Sequence, residues 1–343
     1  MAVRLYMPRK EALSGAWKRP EPVGTPIASP GLVPVTPQTY IRAETDRTFR
    51  NIAALAGGVN RFHHIRSPTP LDAQTVIRMN LDTLYSLVVV DTAKGATITL
   101  PRAPDGRLIS AQVVDNDHYC PAVFYEPGPH PIPGDTKYVC LAVRIQVFDP
   151  RDPAEVALVN ALQDQLVVST GSADPLPPTQ WEPESLQALT RQYATEAKSM
   201  TSFRGLMGPR GKVDEARRHL VAAAGWGLNP DGDATYLMYA GGHDPGKGYT
   251  ATYSVPENGA FWSITVYGDD GYMKSKNAIL NSSNAKLNPD GTFTVYFGSK
   301  ELCGDVPNRL DVTAGWNFAF RVYRPGPSVL DGSYVLPPAK PVK

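Results

Sequence analysis

Two segments of this 343-residue chain crowd acids, amides and hydroxyls against apolar runs. The first is MNLDTLYS at 79–86, where Asn80, Asp82, Thr83 and Tyr85 fall within six residues immediately before LVVV. Polar groups at the mouth of a buried strand can point into a pocket, where a carboxylate acts as general base and a phenol as general acid. A turn in which Asp82 and Thr83 satisfy local backbone groups explains the same residues. Tyr85 has the parity opposite to Asn80 and Asp82, so the three share a cavity only if the strand begins after Thr83. The second segment is LISAQVVDNDHY at 108–119. One parity there reads Ile109, Ala111, Val113, Asp115, Asp117, Tyr119, so two carboxylates continue an apolar face. Unpaired buried carboxylates cost several kcal/mol. Asp115 and Asp117 must therefore pair, hold a hard cation such as Ca²⁺ or Mg²⁺, line a wet cavity, or leave the strand in a solvated turn. His118 is the one histidine inside such a cluster. In FWSITVYG at 261–268, Trp262 reads as sheet core or as a stacking platform. Arg321, a cation inside the strand pattern FAFRVYRPG, needs an acidic or ligand partner.

The resulting expectation is one cavity. Asp82, Asp115 and Asp117 approach one another, with one of them as base and Tyr85 or Tyr119 as acid. Asn80, Thr83, His118, Trp262 and Arg321 bind substrate. Carboxylates so paired would share a proton and raise one apparent pKa. No transition-metal site is expected, because Cys120, Cys140 and Cys303 are scattered and the histidines lack ligand spacing. No cofactor fingerprint occurs. GGHDPGK at 241–247 has Walker spacing, but Gly248 stands where Ser or Thr belongs and a strand pattern follows where a helix must open.

These residues need strands to position them. Proline and glycine number 33 and 29, an excess that suits short strands and turns. Residues 1–38 read as a basic, proline-rich extended arm, and 39–150 as an N-terminal β domain led by a helix over 40–57. At Asp152-Pro153 the pattern changes to helical, with Asp152 as N-cap and Glu155 as the reciprocal acid of a capping box. Residues 151–227 then read as a helical connector, 228–335 as a second β domain and 336–343 as an extended tail. The expected fold is thus mainly β: two antiparallel β-sandwich or jelly-roll-like domains joined by a short helical segment.

MNLDTLYSLVVVD with LPRAPDGRLISAQVVDNDHY resembles the domain of unknown function DUF1254. YSVPENGAFWSITVYGDDGYM, LNPDGTFTVYFG and FRVYRPGPSVLDGSYVLPP resemble its usual partner, DUF1214. The resemblance covers about residues 40–335 and implies two jelly-roll-like β domains joined through helices, with no general reaction. Two stretches depart from the family pattern, GPHPIPGDTKYVCLAVRI and VPNRLDVTAGW, both where a pocket wall could stand.

The chain carries 34 basic and 33 acidic residues, a net charge of +1, so no field draws in nucleic acid or an anionic membrane. No apolar run approaches the length of a membrane span. No secretory core follows the basic start, which makes the cytoplasm the expected compartment. Without a nucleophile motif, the leading functional expectation is an enzyme doing cofactor-free acid/base chemistry (hydrolysis, elimination or isomerisation) on a small organic substrate. The alternatives are a binding module for a saccharide or lipid-like ligand, and a structural or assembly protein. A homo-oligomer stays open.

Overall fold

The central strands of the first β block do not alternate in burial. In the computed structural model, which describes residues 31–74, 77–200, 202–240 and 243–342, eight of the nine residues of TLYSLVVVD are buried. The cause is a sheet covered on both faces. The helix α1 (Tyr40–Ala56) leads into β1 (His63–His64), β2 (Thr83–Asp91), β3 (Ala96–Leu100), β4 (Ile109–Asp115), β5 (Val123–Phe124), β6 (Gly128–Pro131) and β7 (Tyr138–Gln146). Then come α2 (Pro153–Gln163), β8 (Val167–Thr170), α3 (Pro183–Glu196) and α4 (Arg218–Gly225). An antiparallel sheet runs β1-β2-β7-β4-β5. The small sheet β6-β3-β8 and α2 cover one face, burying Val88, Ile98, Leu141 and Leu162 together. Segments of α1 and α4 cover the other, packing Phe49, Ile52 and Val221 on Val89 and Cys140. Two covered faces account for runs of valine and leucine more usual in parallel sheets.

Local signals set the helix ends. Gly57 closes α1 in the left-handed region at φ 76°. The Asp152 carboxylate caps α2 by accepting from the Ala154 amide at 2.9 Å, with Pro153 opening the helix. Glu155 does not complete the capping box. Its carboxylate instead accepts from the Phe148 amide at 2.6 Å and the Arg107 guanidinium at 2.9 Å.

The second unit is a sandwich. It comprises β9 (Ala234–Ala240), β10 (Tyr249–Tyr253), β11 (Trp262–Tyr267), β12 (Ile279–Asn281), β13 (Phe293–Phe297), α5 (Lys300–Cys303), β14 (Arg309–Leu310), β15 (Asn317–Tyr323), α6 (Pro327–Leu330) and β16 (Lys340–Pro341). The sheets β14-β13-β10-β16 and β12-β11-β15-β9 enclose an aromatic core, antiparallel except for β13 with β14. Trp262 belongs to that core, stacked on Phe293 at 4.1 Å and edge-on to Phe320 at 5.6 Å. It is no ligand platform, which corrects its assignment to substrate binding.

Within residues 151–227, β8 pairs with β3, α2 and α4 pack on the first sheet, and α3 packs on α1 and α4. The tail joins the second sandwich through β16 on β10. Most of the arm, residues 1–30, lies outside the described residues; Val33 bridges Trp181 and Val35 is buried. The GGHDPGK segment precedes β10 rather than a helix, as a hairpin loop requires. Among the described residues the three cysteines are free and buried, and no helix is long and apolar enough to cross a membrane. The segment before β2 crosses between the units, where Leu71, Met79 and Leu81 pack on the second core. That strap carries Asn80 and Asp82 into the seam.

Candidate functional site

In the seam, side chains separated by up to 243 residues meet. The Asn80 amide donates to Tyr323 Oη at 2.8 Å and, more weakly, to Thr83 Oγ1 at 3.3 Å and Tyr85 Oη at 3.4 Å. Its Oδ1 accepts from the Asp82 amide at 2.5 Å. Because β2 begins at Thr83, Asn80 and Tyr85 do reach each other despite opposite parity. Asp82 is fully buried, and Ser263 Oγ donates to its Oδ2 at 2.5 Å. Its Oδ1 has no hydrogen-bond partner among the described residues. Burial lifts the Asp82 carboxyl to about 6, against the opposing pull of Arg321 and Ser263.

Arg321 is held from three sides. Its Nη1 donates to Thr265 Oγ1 at 2.9 Å, and its Nη2 donates to Tyr267 Oη at 2.6 Å and to the Arg78 carbonyl at 3.0 Å. Arg78 sits in the left-handed region at φ 57°, a costly conformation for a side-chain-bearing residue, and this turn aims its carbonyl at Arg321. Cross-strand register puts Ser263, Arg321 and Tyr236 in one row across β11, β15 and β9. The same face continues through Ala234, Met238 and Ala319, and its opposite, with Phe318 and Phe320, fills the sandwich core.

Arg321 and Tyr236 of that row, with Ala234, Met238 and Ala319, form the floor of a cavity of about 1070 Å³. The helices α1, α3 and α4 and the following loop form its walls, through Leu186, Thr190, Ala194, Met200 and Phe203 among others. Arg321 and Tyr236 line it; Asp82, Asn80 and Tyr85 do not. Burial raises the Tyr236 phenol to about 12, so it faces the cavity as a neutral hydrogen-bonding group. Sequence reasoning missed Tyr236, although the alternation in ATYLMYA places Ala234, Tyr236 and Met238 on one face. It also missed Arg144 and Gln112, whose presence inside apolar strands was the available signal. Both are buried, with Arg144 Nη1 donating to Gln112 Oε1 at 2.8 Å and the guanidinium 5.3 Å over the Tyr85 ring.

Asp115, Asp117, His118 and Tyr119 do not join this site. Asp115 aligns with Val139 and Thr83 with Gln146, seven residues apart on β7. That is roughly 23 Å at ~3.3 Å per residue. The parity expectation fails because every residue of β4 is buried, so inward and outward positions do not differ there. Asp115 Oδ1 accepts the backbone amides of Asp117 at 2.9 Å and Tyr119 at 2.8 Å, a turn closed by its own side chain. Asp117 pairs with Arg42 and with Arg210, the latter at 2.9 Å. These guanidiniums supply the positive charge that a hard cation would otherwise bring. His118, left-handed at φ 63°, accepts from the Gly227 amide at 3.0 Å, and burial depresses its imidazole to about 3. Tyr119 donates to Glu215 at 2.9 Å between the guanidiniums of Arg210 and Arg218, which lie 4.2 and 3.6 Å from its ring. Replacing Asp115 by alanine leaves two turn amides, that of Tyr119 buried, without their acceptor and should cost about 1–3 kcal/mol of stability. Urea denaturation measures that loss, and ligand binding at the seam should be unchanged.

Two family models match the chain. "Protein of unknown function (DUF1254)" covers residues 59–129 and "Protein of unknown function (DUF1214)" covers 240–327. The seam draws on both, with Asn80, Asp82 and Tyr85 from the first and Ser263, Tyr267 and Arg321 from the second. Among solved structures, the chain is similar to the VPA0106 protein from Vibrio parahaemolyticus, at 18% identity and a TM-score of 0.67, over 89% of this chain and 98% of that one. It is also similar to an uncharacterized protein from Burkholderia cenocepacia, at 15% identity and a TM-score of 0.51, over 91% of each chain. At these identities the likeness is one of fold. A comparison with curated proteins returns no match.

Proposed function

The chain belongs to the proteins that pair a DUF1254 domain with a DUF1214 domain, and from that premise we propose that the pairing serves to enclose a small organic ligand in the seam cavity. The observation that carries this reading is the cavity itself. At about 1070 Å³ it is at the upper end of ligand pockets, typically about 300–1,000 Å³, and its lining combines apolar side chains with convergent polar and charged groups. Neither unit encloses it alone, since the walls come from one and the floor from the other.

Binding accounts for the cavity more directly than catalysis does. Asp82, the one expected base that reaches the seam, is fully buried and does not line the cavity. A proton-transfer enzyme is the second reading, favoured by the Asp82 carboxyl held at about 6 with one oxygen unpartnered. Its proton would have to reach the ligand through the groups of the floor.

Ala194 lines the cavity from α3, and Ala194→Trp should fill part of it. A thermal-shift screen of organic acids, alcohols and sugars compares this variant with the wild type. Compounds that stabilise the wild type are expected to leave Ala194→Trp unmoved, while its own melting temperature stays within about 3 °C, the equivalent of roughly 1 kcal/mol. Equal stabilisation of both proteins, or of neither, rejects the reading.

A further inference from the structure

We propose that the ligand is an anionic amphiphile of the class of a medium- or long-chain carboxylate, seated with its head at the α3 rim and its tail along the floor. This rests on the cavity being the ligand site and goes beyond it by naming the chemistry.

The cavity's charge differs in kind from that of the whole chain. Seven of its lining residues are basic and two are acidic, in a protein whose net charge is +1. Some of those cations are already committed. Arg47 pairs with Glu44, Arg204 donates to the carbonyls of Leu330 and Val329, and Arg321 is held by Thr265, Tyr267 and the Arg78 carbonyl. The floor is therefore a poor place for a carboxylate.

The rim offers what the floor does not. Arg191 on α3 and Lys198 just beyond it are exposed, line the cavity, and make no ion pair among the described residues. Positions 191, 194 and 198 share one face of the helical stretch, so the two cations flank Ala194 on the face that lines the cavity. The one acid on the same face, Glu184, stands two turns away, roughly 10 Å along the axis. Apolar side chains lining the same cavity include Leu186, Met200 and Phe203 on the walls and Met238 and Ala319 on the floor. A flexible apolar tail suits such a surface, with methionine adapting to its shape. Free cations over an apolar well select a ligand that is anionic at one end and apolar along the rest.

Calorimetric titration of the full chain tests this with three probes that share a tail: dodecanoate and dodecyltrimethylammonium below their micelle concentrations, and dodecanol below its solubility limit. Dodecanoate is expected to bind at least about tenfold more tightly than dodecanol and to weaken as salt rises, and the cation should not bind. In the double variant Arg191→Gln/Lys198→Gln, dodecanoate should lose about tenfold while dodecanol stays within about twofold. Dodecanol binding as well as dodecanoate would overturn the anionic assignment. A double variant with undiminished dodecanoate affinity would overturn the rim as the head-group site. In either case, if Ala194→Trp still blocks binding, the cavity remains the ligand site. If no probe binds, or Ala194→Trp binds them as the wild type does, the cavity reading fails with the proposal.

Discussion

Replacing Arg321 by methionine is expected to lower the unfolding free energy by about 3–5 kcal/mol at pH 7.5, read from urea denaturation. Removing one partner of a buried charge pair costs that much because the remaining charge is left uncompensated. Here the remaining charge is Asp82, fully buried, whose electrostatic relief comes from Arg321 and whose hydrogen bond comes from Ser263. Three acceptors would also lose their donor: Thr265, Tyr267 and the Arg78 carbonyl, the last held by a left-handed turn. The double variant Asp82→Asn/Arg321→Met separates the causes. With no carboxylate to strand, it should lose less than Arg321→Met alone. If the double variant loses as much or more, then packing and not charge sets the cost.

Asp82→Asn by itself should stabilise the protein at neutral pH. The Asp82 carboxyl is raised from 3.8 to about 6 in the fold. A raised acid contributes stability that is fully present below its unfolded value, near 3.8, and lost as pH rises through about 6. A tenfold change in an acid's ionisation constant corresponds to about 1.4 kcal/mol, so the ionised carboxylate costs the fold on the order of 3 kcal/mol at pH 7.5. Asparagine can still accept from Ser263 and carries no charge to desolvate, and Arg321, unlike Asp82, keeps oxygen acceptors of its own in Thr265, Tyr267 and the Arg78 carbonyl. The variant should therefore exceed the wild type by about 2–3 kcal/mol at pH 7.5, with the gap closing toward pH 4. Urea titrations at the two pH values measure it. A loss of stability at pH 7.5 would show that attraction to Arg321 outweighs desolvation.

Much of the fold could be read from short-range signals, because those signals are local physics. Gly57 ends a helix since it accepts a left-handed φ, and Asp152-Pro153 starts one since a carboxylate caps a free amide beside a proline that needs none. The cluster at Asn80–Tyr85 stands out for its polar density before a buried strand. Its partners do not. Ser263 lies 181 residues from Asp82, and Tyr323 lies 243 from Asn80, so their meeting depends on how two sheets dock, which no local pattern encodes.

Asp115 and Asp117 mislead for a related reason. Strand parity separates core from solvent only when one face is wet, and α1, α4 and the small sheet cover both faces of this one. Asp115 can be buried there without a functional partner because two backbone amides already satisfy it. Trp262 has aromatic density that suits a stacking platform and a sandwich core equally; the register of β11 on β15 decides for the core.

The seam cavity as the ligand site is tested most directly by a crystal of the full chain soaked with 12-bromododecanoate, using the anomalous signal of bromine to locate the tail. The expected result is one bromine peak in the cavity beside Met238 and Ala319, with carboxylate density between Arg191 and Lys198. A bromine peak confined to another surface, with the cavity empty at saturating ligand, would contradict it.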